Sequence, residues 1–205
     1  MKLQNLDQIV ELAKGRKTRR IAVAAAADEP VLKAVMQAYE LGIANPVLVG
    51  DKAETEAICR KIGFEVSNIK IIDVKDPAEA SLKAVKLIRE GEAEILMKGM
   101  VATAPLLKAV LNKEFGLKKR ETLSHFALFQ TRHYHKLFGV ADAAMNIAPE
   151  VQEKVSIIKN STEVFHSLGI KLPKVAILGP LETVNKKIAS TTDAAMLTQM
   201  NRRKQ

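Results

Sequence analysis

Up to about residue 113, short runs of β-branched and small apolar residues alternate with segments whose apolar positions recur every three or four residues. Arg20-Ile21-Ala22-Val23-Ala24-Ala25-Ala26 reads as a buried strand. Asp28-Glu29-Pro30 then sets an acidic cap and a proline at a helix start. Val31, Val35, Ala38 and Tyr39 share one face of that helix, and Gly42 stands where a helix-ending glycine belongs. Further strands are expected at 46–50, 69–73 and 94–97. Helices are expected at about 52–62, from Pro77 to about Glu90, and from the Lys98-Gly99 loop to about Asn112. Strictly alternating strands and helices imply βαβ crossovers and a mostly parallel sheet covered on both faces.

After Gly116 the pattern changes. Lys118-Lys119-Arg120 reads as an exposed basic connector. Leu123 to Phe129 and the stretch from about Val140 to Ile147 read as strands with no helix between them, which favours an antiparallel pair. A long helix is expected from about Pro149 to Leu168, a strand at Val175-Ala176-Ile177-Leu178, and a last helix from about Thr192. These expectations divide the chain into a parallel α/β domain, 1–118, and a partial second α/β domain, 119–205.

Composition narrows the class of protein. With 205 residues, 47% of them apolar and 27% charged, the chain can bury a substantial core. The longest apolar run, Ile21 to Ala27, falls far short of the roughly 20 residues that span a bilayer, so no membrane-spanning helix is expected. The opening residues lack a secretory apolar region, and the single Cys59 has no disulfide partner; both fit a cytoplasmic protein. The formal charge of +9 favours polyanions: nucleic acid, phosphorylated ligands or an anionic membrane surface. Aromatic residues make up only 4%, Trp is absent, and no zinc-finger or RNP pattern occurs, which argues against nucleic acid as the partner. A phosphate-bearing small molecule and a merely solvated basic surface both remain open.

Several motifs are excluded. The glycines form neither G-x-G-x-x-G nor a Walker A loop, and neither G-x-S-x-G nor H-E-x-x-H occurs. His133 and His135 would face one side of a strand as a metal pair, but no third ligand accompanies them, and surface histidines are the simpler reading. Cys59 reads as a small buried hydrophobe. The strongest segment is Leu96 to Pro105, at the carboxyl end of a parallel strand and the start of a helix. Open α/β sheets bind ligands at that edge, and helix N-termini suit phosphate. There Lys98 supplies charge, Gly99 a turn, Thr103 a cap and Lys108 a second charge; ordinary capping by Thr103 with solvated lysines is the competing reading. Asp142 to Pro149 and Glu182 to Asn185 also concentrate polar residues at loop positions.

Taken in order, Met97-Lys98-Gly99, Leu123-Ser124-His125, Ala141 to Ile147, Leu168-Gly169-Ile170, Glu182-Thr183-Val184-Asn185 and Asp193-Ala194-Ala195 form a specific series. The series resembles the phosphate acetyl/butyryltransferase family over nearly the whole chain, and its butyryl, branched-chain branch most. The resemblance implies two α/β domains with an interdomain cleft, similar to isocitrate and isopropylmalate dehydrogenases, in a homodimer or larger oligomer. It implies exchange of a short or branched acyl group between coenzyme A and inorganic phosphate. Coenzyme A is then a substrate, with no bound cofactor, no metal and no nucleic acid. Lys98, Gly99, Thr103 and Lys108 match the family's phosphate-binding loop, where the acetyl branch has Ser-Gly, Ser-Thr and Arg; a lysine lacks the fork of that arginine. Asn146 matches an Asn before the long helix. Glu182 and Asn185 match a Glu-Val-Val-Asn-like segment, and His125 joins them in lining the cleft.

The family continues past the point where this chain stops. Its late Ser-Arg and Asp, assigned to transition-state stabilisation and thiol deprotonation, would lie beyond Gln205. The resemblance therefore leaves the catalytic residues unassigned and implies a fold incomplete at its C-terminus. A fragment of a longer protein is one reading, and a truncated, non-catalytic binder of coenzyme A or phosphate ligands is the other.

Overall fold

The computed structural model describes residues 3–119 and 122–205. These fall into two compact units, one of Val10–Lys119 and one of Met1–Ile9 with Arg120–Gln205. The opening residues thus group with the second unit and not, as the 1–118 division expected, with the first. Within that unit the Leu6 amide donates to Gln130 Oε1 at 2.9 Å. Lys118 and Lys119 are exposed as expected of a basic connector; Arg120 of that connector, like Met1 and Lys2 of the opening stretch, lies outside the described residues.

The larger unit follows the periodicity closely. After α1 (Asp7–Lys14), the chain runs β1 (Arg19–Ala24), α2 (Glu29–Glu40), β2 (Ala44–Gly50), α3 (Lys52–Ile62), β3 (Lys70–Asp73), α4 (Pro77–Arg89), β4 (Ile95–Lys98) and α5 (Thr103–Val110). The sheet is wholly parallel in the order β3-β2-β1-β4. Alternation along the two central strands builds a core on each face. Ala22, Ala24, Val47 and Val49 pack with Ala80, Ala84 and Leu87 of α4 and Leu106 of α5. Val23 and Leu48 face the other way, onto Leu32, Val35, Cys59 and Phe64. On α2 the buried stripe centres on Leu32 and Val35, while Tyr39 sits at its rim with its ring 6.0 Å from that of Phe64. Pro46, inside β2, pairs with Ile21 on one side, and the pairing with β3 begins only at Val47. The missing proline N–H therefore breaks no ladder.

In the second unit β5 (Ala127–Phe129) and β6 (Phe138–Val140) form the expected antiparallel pair, followed by α6 (Val151–Ser167) and α7 (Ala189–Arg202). Gly139 lies where a Cβ would come within 2.5 Å of the Phe126 ring, which itself packs edge-on to Phe165 of α6 at 5.5 Å. Lys154 of α6 and Asp193 of α7 form a half-buried ion pair at 2.5 Å. Three expectations need correction here. The antiparallel strands are three residues each, so 123–126 and 141–147 are irregular. Residues 175–178 form no strand, because nothing among the described residues supplies the ladder they would need. His133 and His135 sit in an exposed turn and not on a strand, and no metal-binding group occurs among the described residues.

Candidate functional site

The strand order locates a crevice in the larger unit. The chain steps outward from β1 through β2 to β3, then returns to the opposite flank of β1 as β4. Connections leaving β1 and β4 therefore diverge at their carboxyl ends, the place where open α/β sheets bind ligands. Ala24 and Lys98 are the last paired residues. Beyond them the Gly99 amide donates to the Ala24 carbonyl and the Met100 amide to the Ala25 carbonyl, each at 2.8 Å. The two loops touch so closely that a Cβ on Gly99 would lie 2.1 Å from the Ala25 oxygen. Ala25 itself takes a left-handed conformation, with φ of 54°, a strained choice for a residue carrying a Cβ.

The helix starts on this edge differ. Asp28, Asp51 and Asp76 cap α2, α3 and α4, accepting from the amides of Val31, Glu54 and Glu79 at 3.2, 2.9 and 2.8 Å. α5 begins after Ala102, with no side-chain cap and no acid in its first turn. Its partial positive charge and free amides are thus uncompensated, the electrostatics an anion needs. Thr103 is not the cap that its position promised: it is the first helical residue and is exposed.

Lys98 folds back onto its own loop, with Nζ donating to the carbonyls of Val101 at 2.8 Å and Gly99 at 3.2 Å. Its charge thus lies beside the α5 start and organises the turn. Lys108 is exposed in the last turn of the helix, ~7.5 Å along the axis from Thr103. Lys98, Gly99 and Thr103 are brought together; Lys108 belongs to the other end of α5.

In the second unit, Asn146 and His125 meet through Asp142. Asp142 Oδ1 accepts from the His125 and Met145 amides at 3.2 Å, and Oδ2 from the Asn146 amide at 3.1 Å and from Asn146 Nδ2. Asn146 Nδ2 also donates to the Leu123 carbonyl at 3.0 Å. Partial desolvation works against ionisation of Asp142, but the Asn146 side chain and the His125, Met145 and Asn146 amides outweigh it and hold the carboxyl below its ordinary range. Asn185 shapes the entry to α7: its amide donates to Thr191 Oγ1 at 2.9 Å, and its carbonyl accepts from the same hydroxyl at 3.0 Å. Glu182 is exposed on the loop before it. Asp142, Asn160 and Thr191 were not singled out as site residues by the sequence. The four-residue Asp142–Asn146 spacing was the available signal for the first.

Cavities add one further feature to each unit. The larger, about 630 Å³, runs between α3 and β3, lined by Lys52, Arg60, Phe64 and Ile71, and includes none of the expected site residues. The second unit has one of about 440 Å³ against α6, lined by Phe126, Asp142, Lys154, Phe165 and Ile177.

Comparison with known proteins agrees with the series of motifs. The family described as Phosphate acetyl/butaryl transferase matches residues 5–82 and 75–205. A phosphate butyryltransferase of Clostridium beijerinckii is 45% identical over 98% of this chain, and one of Clostridium acetobutylicum is 43% identical over 99%. In both cases this chain spans about two thirds (67%) of the relative's length. Among solved structures, a branched-chain phosphotransacylase from Enterococcus faecalis V583 superimposes with a TM-score of 0.75 at 30% identity, over 89% of this chain and 63% of that one. Its mixed α/β architecture with a parallel sheet is the one described above. The chain belongs to the phosphate acetyl/butaryl transferase family.

Proposed function

We propose that the protein exchanges a short or branched acyl group between coenzyme A and inorganic phosphate, as butanoyl-CoA + phosphate = butanoyl phosphate + CoA. The observation that carries this reading is the 45% identity, over 98% of this chain, to a phosphate butyryltransferase. The uncapped α5 start at the β1/β4 crevice supports it independently. In the forward direction a phosphate oxygen attacks the thioester carbonyl, the new C–O bond forms, the C–S bond breaks, and the thiolate takes up the proton that phosphate loses. Positioning and charge stabilisation carry such a reaction.

Inorganic phosphate lies against the free amides of the α5 start, with Lys98, Gly99 and Thr103 forming the loop around it and Lys108 adding longer-range positive charge. His125, Asn146, Glu182 and Asn185 contact the acyl-CoA. The whole protein is cytoplasmic, works as a homodimer or larger oligomer, and has the two-domain architecture of the isocitrate and isopropylmalate dehydrogenases. Coenzyme A enters as substrate and no resident cofactor or metal is required. No helix of the described residues is long and apolar enough to cross a membrane.

The test is phosphate-dependent release of free thiol from butanoyl-CoA. Release that rises with phosphate and saturates supports the exchange. Hydrolysis at a rate indifferent to phosphate would replace it with a thioesterase reading.

A further inference from the structure

We propose that Asp142 is a positioning residue that presents the His125 imidazole to an anionic substrate group; the substrate half of this inference rests on the function proposed above. Residues 122–125 have no regular secondary structure, yet side chains from outside the segment anchor each of the four. Asn160 Nδ2, on α6, donates to the Thr122 carbonyl at 3.1 Å and to Ser124 Oγ at 2.9 Å. Asn146 Nδ2 holds the Leu123 carbonyl at 3.0 Å, and Asp142 Oδ1 holds the His125 amide at 3.2 Å.

Asp142 is the hub of this arrangement. It accepts four hydrogen bonds, which uses the whole acceptor capacity of a carboxylate. Two of them come from Asn146, which the bond orients so that its other amide hydrogen reaches Leu123. The carboxylate therefore fixes His125 directly and Leu123 through Asn146. The imidazole of His125 takes part in none of these bonds and is exposed. A backbone tied down residue by residue around one exposed, proton-carrying side chain is preorganised to meet a ligand. The ligand chemistry that fits an imidazole donor is an oxyanion: a phosphate of coenzyme A or of the acyl phosphate.

Two readouts on the 205-residue chain decide the matter. In Asp142→Asn one carboxylate oxygen becomes an NH2 donor, set either against the His125 and Met145 amides directly or against the Asn146 donors that hold Leu123 beside them. Hydrogen exchange at the His125 amide should accelerate about tenfold or more, and the His125 ring resonance should shift, while exchange in β1 and β2 is unchanged. Coenzyme A binding, followed by calorimetry, should weaken about tenfold in both Asp142→Asn and His125→Ala. The double substitution should be no weaker than His125→Ala alone, because the two act through one group. Should Asp142→Asn fail to fold, Asp142→Glu keeps the charge, displaces the oxygens and is read at the same amide.

An unchanged His125 amide and ring resonance overturns the proposal. So do additive losses of affinity, or a His125→Ala chain that binds as tightly as the parent. If the parent chain itself binds no coenzyme A, the functional reading fails, and the exchange and ring measurements alone decide whether Asp142 positions His125.

Discussion

Gly99 packs directly against the carbonyl of Ala25, so that a Cβ added at Gly99 would fall 2.1 Å from the Ala25 oxygen and 2.6 Å from that of Ala24. All the nearest atoms are backbone and cannot swing aside. The loop after β4 is thus moulded on the loop after β1, and the α5 start is held at the sheet edge by main-chain bonds.

Gly99→Ala should therefore cost about 3 kcal/mol or more, since relief requires separating the β1 and β4 ends. Gly15, whose nearest non-neighbour atom would be 3.8 Å from an added Cβ, is the control; Gly15→Ala should stay within about 1 kcal/mol of the parent. Urea unfolding midpoints of the two variants measure the difference. Equal midpoints would show that the contact can relax.

Lys98→Met tests the internal role of the Lys98 ammonium. Removing it takes the 2.8 Å donor from the Val101 carbonyl, while the Gly99 carbonyl keeps the Val101 amide at 2.9 Å. The bonds are partly solvated, so the expected loss is about 1 kcal/mol, which lowers Tm by roughly 2–4 °C in a chain of this size. A Tm identical to the parent's would mean that water replaces the ammonium at no cost.

The acid side of the stability profile carries a contribution from Glu29. Its two oxygens accept from Lys33 and Lys61, each at 2.7 Å, linking α2 to α3. The Lys33 hydrogen bond, then that of Lys61, lowers its pKa from the ordinary 4.5 to about 2. A carboxyl depressed on folding stabilises the protein above its unfolded pKa and loses that contribution as pH falls through its folded pKa. The gap in stability between the parent and Glu29→Gln should thus close as pH falls from above 4.5 to about 2. Because Glu29 and its two lysine partners are all partly exposed, salt should narrow the gap at every pH. Carboxyl NMR titration locates the midpoint, and an ordinary value would dissolve the bridge.

Much of the larger unit was legible because its signals are local. Asp28, Asp51 and Asp76 cap the helices that follow, Pro30 and Pro77 fall at helix starts, and Gly42 and Gly63 take the positive φ that ends α2 and α3. A cap needs only an acceptor and an amide three residues on, and a proline only its own φ. Thr103 shows the limit of such local inference: the right residue type stood one position past the cap, because Gly99 and Lys98 had already set where the helix turns in.

In the second unit the same residue patterns did not suffice. Val175 to Leu178 has the composition of a buried strand, yet no strand forms among the described residues, and Leu178 is 84% exposed. The Asp142 hub was only half hidden: three of its four bonds come from Met145 and Asn146 close by in the chain, but the fourth, from the His125 amide, depends on bringing residues 125 and 142 together. Sequence determined the period, the caps and the series of motifs that assigns the family, because each of these is written within a few neighbouring residues. Tertiary structure decided which strands find partners, where β1 and β4 part to open the crevice, and which carboxylate holds His125. Ladders, close backbone contacts and hydrogen-bond hubs join residues far apart in the chain, and no local pattern encodes them.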